Sequence, residues 1–346
     1  MTPYVIFGAG AVGSALGAYL ARSGHRVQLL AREGHVRAIR EQGNLKVSTY
    51  DGTFSAPVEA AVHPAFPLPP GAVILLTVQA PDVGAALDAL APALPDHAVV
   101  TFQNGIQAET EAAPRCPHLY GGVVRFTSTL IDPGEVRLRR PGQLIVGRHP
   151  SGTDDTAAAM VADFNAAGFE AAVSSDIASD KALKLLVNLI SGPAVLLHRT
   201  EVVPALAHVQ VALLEEGRAV FAAAGVRAEP VSGLGQPVQA MIARFGQGGS
   251  APDGRPVYNS TWQNLHHRRD RLENRYYHGE IIALGEQTGI PTPVNRRALD
   301  LLEEVRDKGL GPEPWTPEEF AARFADVVDV HTPLDPPDQG GAGLEI

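Results

Sequence analysis

Short runs of consecutive apolar residues alternate with amphipathic stretches through the first half of the chain. Residues 4–7 and 26–31 read as strands, and residues 11–23 between them repeat their apolar positions at helical spacing. Residues 45–50 and 53–61 flank Asp51-Gly52, a two-residue turn that favours a hairpin. Residues 72–78 and 98–102 are continuous apolar runs, as strands buried on both faces require, and residues 83–94 between them are helical. Strand-rich sequence continues to 144–146. Strands alternating with helices in this way predict an α/β fold, a mostly parallel sheet covered by helices.

From about Ile177 the periodicity changes. Residues 184–197, 209–224, 260–288 and 295–308 all repeat at helical spacing, which predicts an all-helical second domain. A Gly/Pro-rich stretch at 246–256 reads as a mobile loop, and the chain from Pro333 is rich in proline, glycine and aspartate. The expected organisation is an α/β domain over 1–175, a helical domain over 176–325 and a disordered tail over 326–346. Two domains suit 346 residues.

Composition narrows the function classes. A formal charge of −10 with no dense basic stripe argues against a nucleic-acid partner. The single cysteine, Cys116, permits no internal disulfide, fits a reducing compartment and reads as a structural thiol. No basic leader precedes the first strand and no apolar run reaches the roughly 18 residues of a membrane span, so a cytoplasmic protein without a membrane partner is expected. Lysine is scarce: Lys46, Lys181, Lys184 and Lys308 are all there are, so a lysine at a special position stands out.

The first chemical signal is Gly8-Ala9-Gly10-Ala11-Val12-Gly13, set between a strand and a helix. Gly8 permits a tight turn, Gly10 a close approach to a pyrophosphate, and Gly13 close helix–strand packing. The helix start supplies amide donors and the positive end of a dipole. This context predicts a bound nicotinamide dinucleotide. The second strand ends in Leu30-Ala31-Arg32, where an NAD site usually places a carboxylate. A guanidinium there suits the 2′-phosphate of NADP, with Glu33 beside it and an ordinary surface arginine as the other reading.

The second signal is Lys184 with Asn188, four residues apart on one helix face among Leu183, Leu185, Leu186 and Val187. A desolvated lysine has its pKa lowered toward the range useful for proton transfer, and a cation there stabilises a developing alkoxide. The same spacing suits a lysine that snorkels from its helix or pairs with an acid. Further on, Glu273 and Tyr277 fall on one predicted helix face, where the carboxylate either orients a substrate or belongs to a solvated, arginine-rich helix. His266, His267 and His278 lack metal-ligand spacing, and no metal is expected.

Taken together, the Gly8–Gly13 turn, Thr101-Phe-Gln-Asn-Gly-Ile106, Lys184-x-x-x-Asn188, and Ser260-Thr-Trp-Gln followed by Glu273 and Gly-Ile-Pro-Thr-Pro-Val-Asn295 resemble the ketopantoate reductase family. The likeness runs in order over most of the chain. It implies a Rossmann-type dinucleotide-binding domain followed by an all-helical domain, with the active site in the cleft between them. The implied activity is NADPH-dependent reduction of a small 2-keto acid, 2-dehydropantoate, to pantoate in pantothenate biosynthesis. By motif, Lys184 matches the general acid and Glu273 the carboxylate at the bottom of the site. Asn188 and Ser260 match substrate-binding groups, and Asn104 a residue between nicotinamide and substrate.

Three positions depart from the family pattern. Gly192-Pro193 stands where a second asparagine is usual, which is expected to enlarge the substrate pocket. Gln79 replaces a cofactor-side lysine, and His278 an asparagine. The alternatives are a related dehydrogenase of the same fold acting on another hydroxy or amino acid, and a non-catalytic NADP-binding sensor. Either a monomer or a homodimer is compatible with the sequence.

Overall fold

The computed structural model of the chain describes residues 1–197, 203–246 and 259–330. The loop expected at 246–256 lies, but for Gly246, outside these residues, as does the tail beyond Val330. In chain order the first elements are β1 (Tyr4–Phe7), α1 (Ala11–Arg22), β2 (Val27–Leu30), α2 (Glu33–Gln42), β3 (Leu45–Thr49), β4 (Gly52–Ala56) and β5 (Glu59–Ala61). They are followed by β6 (Val73–Leu76), α3 (Val83–Leu90), β7 (Ala98–Thr101), α4 (Gln107–Ala112), β8 (Leu119–Arg125), β9 (Ser128–Asp132) and β10 (Glu135–Leu138). Next come β11 (Gln143–Arg148), α5 (Asp155–Ala166), β12 (Glu170–Val173) and α6 (Ile177–Leu189). The helices α7 (Pro204–Ala224), α8 (Val238–Gly246), α9 (Ser260–His266), α10 (His278–Thr288), α11 (Pro293–Asp307) and α12 (Pro317–Phe324) complete the described chain.

Two compact units result. The first comprises Met1–Leu185 and Arg227–Gly235; the second takes Leu186–Val226 and the chain from Gln236 onward. In the first unit an eight-stranded sheet runs β12-β11-β8-β7-β6-β1-β2-β5. The six strands from β8 to β5 are parallel, and β11 is antiparallel to β8. The chain moves from β1 outward through β2 to β5, then returns to the other side of β1 with β6, β7 and β8. The strand order therefore reverses between β1 and β6, and in open α/β sheets the ligand crevice lies at the carboxyl ends of the strands at such a point. β6, Val-Ile-Leu-Leu, is buried along its whole length, because helices cover the sheet on both faces.

The expected hairpin forms β3 and β4 in a second, four-stranded sheet, ordered β4-β3-β10-β9. The single strand expected over 53–61 is divided. It stops at Ala56, before Pro57, which has no N–H for a ladder, and β5 joins the large sheet beside β2.

In the second unit the described elements are helical. Pro204 opens α7, where its missing N–H is one that helix geometry leaves unpaired, and Gly225 closes it with φ +68°. The helix expected over 260–288 is broken into α9, a 3₁₀ turn at Glu273–Tyr276, and α10. Arg268 ends α9 in a left-handed conformation, φ 48°, its N–H bonded to the Leu265 carbonyl while that of Arg269 reaches Asn264. No described helix is long and apolar enough to cross a membrane.

Candidate active site

The chain leaves β1 at Phe7 and begins α1 at Ala11, so it must turn at once. Gly8 turns it with φ +101°, and a Cβ there would lie 2.5 Å from the backbone nitrogen of Val78. A Cβ at Gly13 would strike the Thr77 hydroxyl and come within 2.7 Å of the Gly8 carbonyl, so helix and strand approach this closely only without a side chain. Gly10 differs. It is exposed, and the nearest atom to its Cβ position is 3.9 Å away. No side chain caps α1 there, and the first-turn N–H groups, including those of Ala11 and Val12, have no acceptor within the helix. Buried Ala9 anchors the turn from beneath. A cradle closed by backbone on one side and open on the other, ending at a positive helix terminus, fits a pyrophosphate.

Two other cofactor-side candidates lie at the carboxyl ends of neighbouring strands. Arg32 is exposed at the N-cap of α2, just past β2, and Gln79 is half-buried just past β6. The Thr77 hydroxyl donates to the Gly8 carbonyl at 2.8 Å, tying the exit of β6 to the glycine turn.

Lys184 and Asn104 line one recess, together with Gln103, Gly105, Gly122 and Lys181. Asn104 follows β7 and precedes Gly105, whose φ of +85° reverses the chain. Lys184 is half-buried on α6. Burial, and then the nearby Arg125 guanidinium, bring its ammonium down to about 8. At neutral pH it is a proton donor of moderate strength beside an amide side chain, which is what protonation of a carbonyl oxygen requires.

Arg125 and Lys181 escaped sequence reasoning. Arg125 ends β8, half-buried, with Nε lacking a partner among the described residues; burial lowers its pKa, opposed by the charge of Asp180. Asp180 in turn accepts from the Ser174 hydroxyl at 2.6 Å and from the backbone and hydroxyl of Ser232 at 3.1 and 2.9 Å. Lys181 bonds the Gln103 carbonyl at 2.8 Å and the Glu109 carboxylate at 2.5 Å. Only its rarity in this chain marked it.

The second unit carries the remaining candidates. Asn188 is buried near the end of α6 with no partner for Nδ2 among the described residues. Ser260 is the first residue of α9, which Asn259 caps by accepting the Trp262 N–H while donating to the Ser191 carbonyl. Glu273 lies in the 3₁₀ turn rather than a long helix, and Tyr277 donates to it at 3.0 Å. The next residues along, Thr261 and Asn274, are bonded to one another at 3.2 Å, which brings the starts of α9 and the 3₁₀ turn together.

Gly192 does not enlarge a pocket. A Cβ there would meet the Asn274 amide nitrogen at 2.9 Å, His278 Nε2 at 3.0 Å and Leu302 at 3.1 Å, so the imidazole at 278 occupies the room a side chain at 192 would need. Nor does Gly192 continue the Lys184 face, because α6 ends at Leu189, before Pro193. Among the described residues no cluster of histidine, cysteine or carboxylate side chains is arranged to hold a metal.

Family comparison places these features in context. Residues 4–151 match the ketopantoate reductase PanE/ApbA family model and residues 176–306 its C-terminal counterpart. A 2-dehydropantoate 2-reductase of Archaeoglobus fulgidus is 30% identical over 306 residues, covering 87% of this chain and 96% of its own. The crystal structure of a PanE/ApbA family ketopantoate reductase from Ralstonia eutropha is 29% identical, with a TM-score of 0.72 over 88% of this chain and 99% of that one. A D-mandelate dehydrogenase solved with NADH and anilino(oxo)acetate shares the fold at 22% identity and a TM-score of 0.76, covering 88% of this chain and 99% of its own.

Proposed function

Because the chain belongs to the ketopantoate reductase family, we propose that it reduces a small 2-keto acid, 2-dehydropantoate, to the 2-hydroxy acid with NADPH. The observation that carries this reading is the pairing of Lys184 with Asn104 in one recess, the lysine held at about 8. When bound, the nicotinamide supplies the hydride. The amides at the start of α1, with Gly8, Gly10 and Gly13, hold the pyrophosphate, and Arg32 and Gln79 face the cofactor at the ends of β2 and β6. Arg32 favours a 2′-phosphate over a bare ribose, hence NADPH over NADH. Lys184 passes its proton to the ketone oxygen and steadies the negative charge that develops there. Asn104 orients the carbonyl. Asn188, Ser260 and Glu273 are the polar groups of the second unit that the family resemblance assigns to the substrate.

A panel of 2-keto acids assayed by NADPH and NADH oxidation tests the substrate and the cofactor together. The expected result is fastest turnover of 2-dehydropantoate with NADPH. Lys184→Ala is expected to lower kcat by about 10²–10⁴ while NADPH affinity changes little. An NADP-binding sensor needs no proton donor and predicts no such loss. Because the ammonium form donates, wild-type kcat for reduction is expected to hold below pH 8 and to fall about tenfold per pH unit above it. A profile flat to pH 10 rejects Lys184 as the donor.

A related reductase with a different 2-keto acid is favoured by one observation, the imidazole of His278 packed on Gly192 where the family pattern has two asparagines. The same panel separates the two readings.

A further inference from the structure

Lys181 is almost wholly buried, with 3% of its side chain exposed, and so is its partner Glu109. An ion pair in such a place adds little stability over a well-packed apolar pair, so its geometry is the feature to explain. Both members hold the same short segment. Lys181 donates to the Gln103 carbonyl at 2.8 Å, and the Glu109 oxygen that meets Lys181 also accepts from the hydroxyl of Thr101, the last residue of β7. From the other side the Gln103 amide donates to the Leu76 and Val78 carbonyls at 3.1 and 3.0 Å. Val78 is the residue packed on Gly8. Polar contacts thus run across the exits of β6 and β7 to α6, and Val78 at their far end packs on the glycine turn.

Asn104 is the next residue in that segment, and Lys184 is one helical turn beyond Lys181. We propose that Lys181, paired with Glu109, is a positioning residue: it fixes the Gln103 carbonyl to α6 and so sets Asn104 against Lys184 across the recess that Gln103, Asn104, Lys181 and Lys184 line. Lys181 takes no part in proton transfer. Two of its three N–H donors are taken, one by the Gln103 carbonyl at the strand exit and one by the Glu109 carboxylate. The role rests on the reduction proposed above, but its test includes a readout that needs no turnover.

Lys181→Met alone strands the Glu109 carboxylate and is expected to destabilise the fold. The double variant Lys181→Met/Glu109→Gln removes both charges and is the informative one. Three measurements on the full chain decide the matter: thermal melting, kcat and KM for 2-dehydropantoate and NADPH, and amide hydrogen exchange at Asn104 and Gly105 without ligand. The expected double variant melts near the wild type and loses about 100-fold in kcat with KM for NADPH within about threefold. Its exchange at Asn104 and Gly105 is about tenfold faster. A folded double variant with kcat within about twofold of wild type, or with unchanged exchange at those two amides, overturns the proposal. If the double variant does not fold, isosteric Thr101→Val decides, with exchange about threefold faster expected and no change overturning. Failure of the wild type to turn over 2-dehydropantoate defeats the reduction and leaves the exchange test standing.

Discussion

Gly192 and His278 are two departures in sequence and one packing event in space. His278 is fully buried, and burial drops its imidazole to about 4, against the opposing pull of its bond to Asn295. Asn295 donates its amide to Glu216, so its oxygen must accept, and His278 Nδ1 carries the proton. Nε2 then presents a lone pair toward Gly192. Restoring asparagine at 192 alone forces a side chain onto Nε2, at an expected cost of about 1–3 kcal/mol in thermal denaturation. Gly192→Asn/His278→Asn is expected to recover most of that loss, and a double variant no more stable than the single one rejects the coupling. Sequence showed both residues and not their contact, because the positions lie far apart along the chain. It likewise showed Lys184 through its apolar neighbours, but not Lys181, whose partners Gln103 and Glu109 lie on another element.

At the scale of elements, a glycine end was legible at α7, whereas the proline break at Pro57 inside the strand expected over 53–61 was not. Gly225 closes α7 where the periodicity ended it, at residue 224, while the helix begins at Pro204, five residues before the expected start at 209. Arg268 ends α9 in a conformation that arginine seldom adopts, while apolar spacing carries on through Leu265 and Leu272, so one long helix was expected there. The segment Arg227–Gly235 had no signal at all. It follows α7 of the second unit yet belongs to the first, clipped to α6 by Ser179, which trades bonds with the Glu229 backbone, and by Asp180, which holds Ser232. Burial raises the Asp180 pKa, while Ser174, Ser232 and Arg125 oppose that rise. Asp180→Ala leaves the Ser232 N–H and the Arg125 guanidinium without that carboxylate. Limited proteolysis is expected to cut between Arg227 and Gly235 at least about tenfold faster in this variant. Equal rates show that the clip does not hold the segment.

For the molecule as a whole, the alternation of strands and helices foretold the parallel sheet, and the strand order β5-β2-β1-β6-β7-β8 puts its reversal beside the glycine turn. The second, four-stranded sheet was only half visible, since β10, itself paired with β9, joins β3 of the hairpin across a long separation in sequence, Glu135 opposite Lys46. Cys116 lies on the face of the sheet covered by α3 and α4, 3% exposed among Leu87, Leu90 and Ala112, and burial pushes its thiol up to about 11. An inert thiol of this kind reacts only when its cover lifts. As the sole sulfhydryl in the chain, it makes an aromatic disulfide reagent a stopwatch for that lifting. Labelling in native buffer is expected to be at least about 10³ times slower than in denaturant, and a burst of fast labelling shows the layer already ajar.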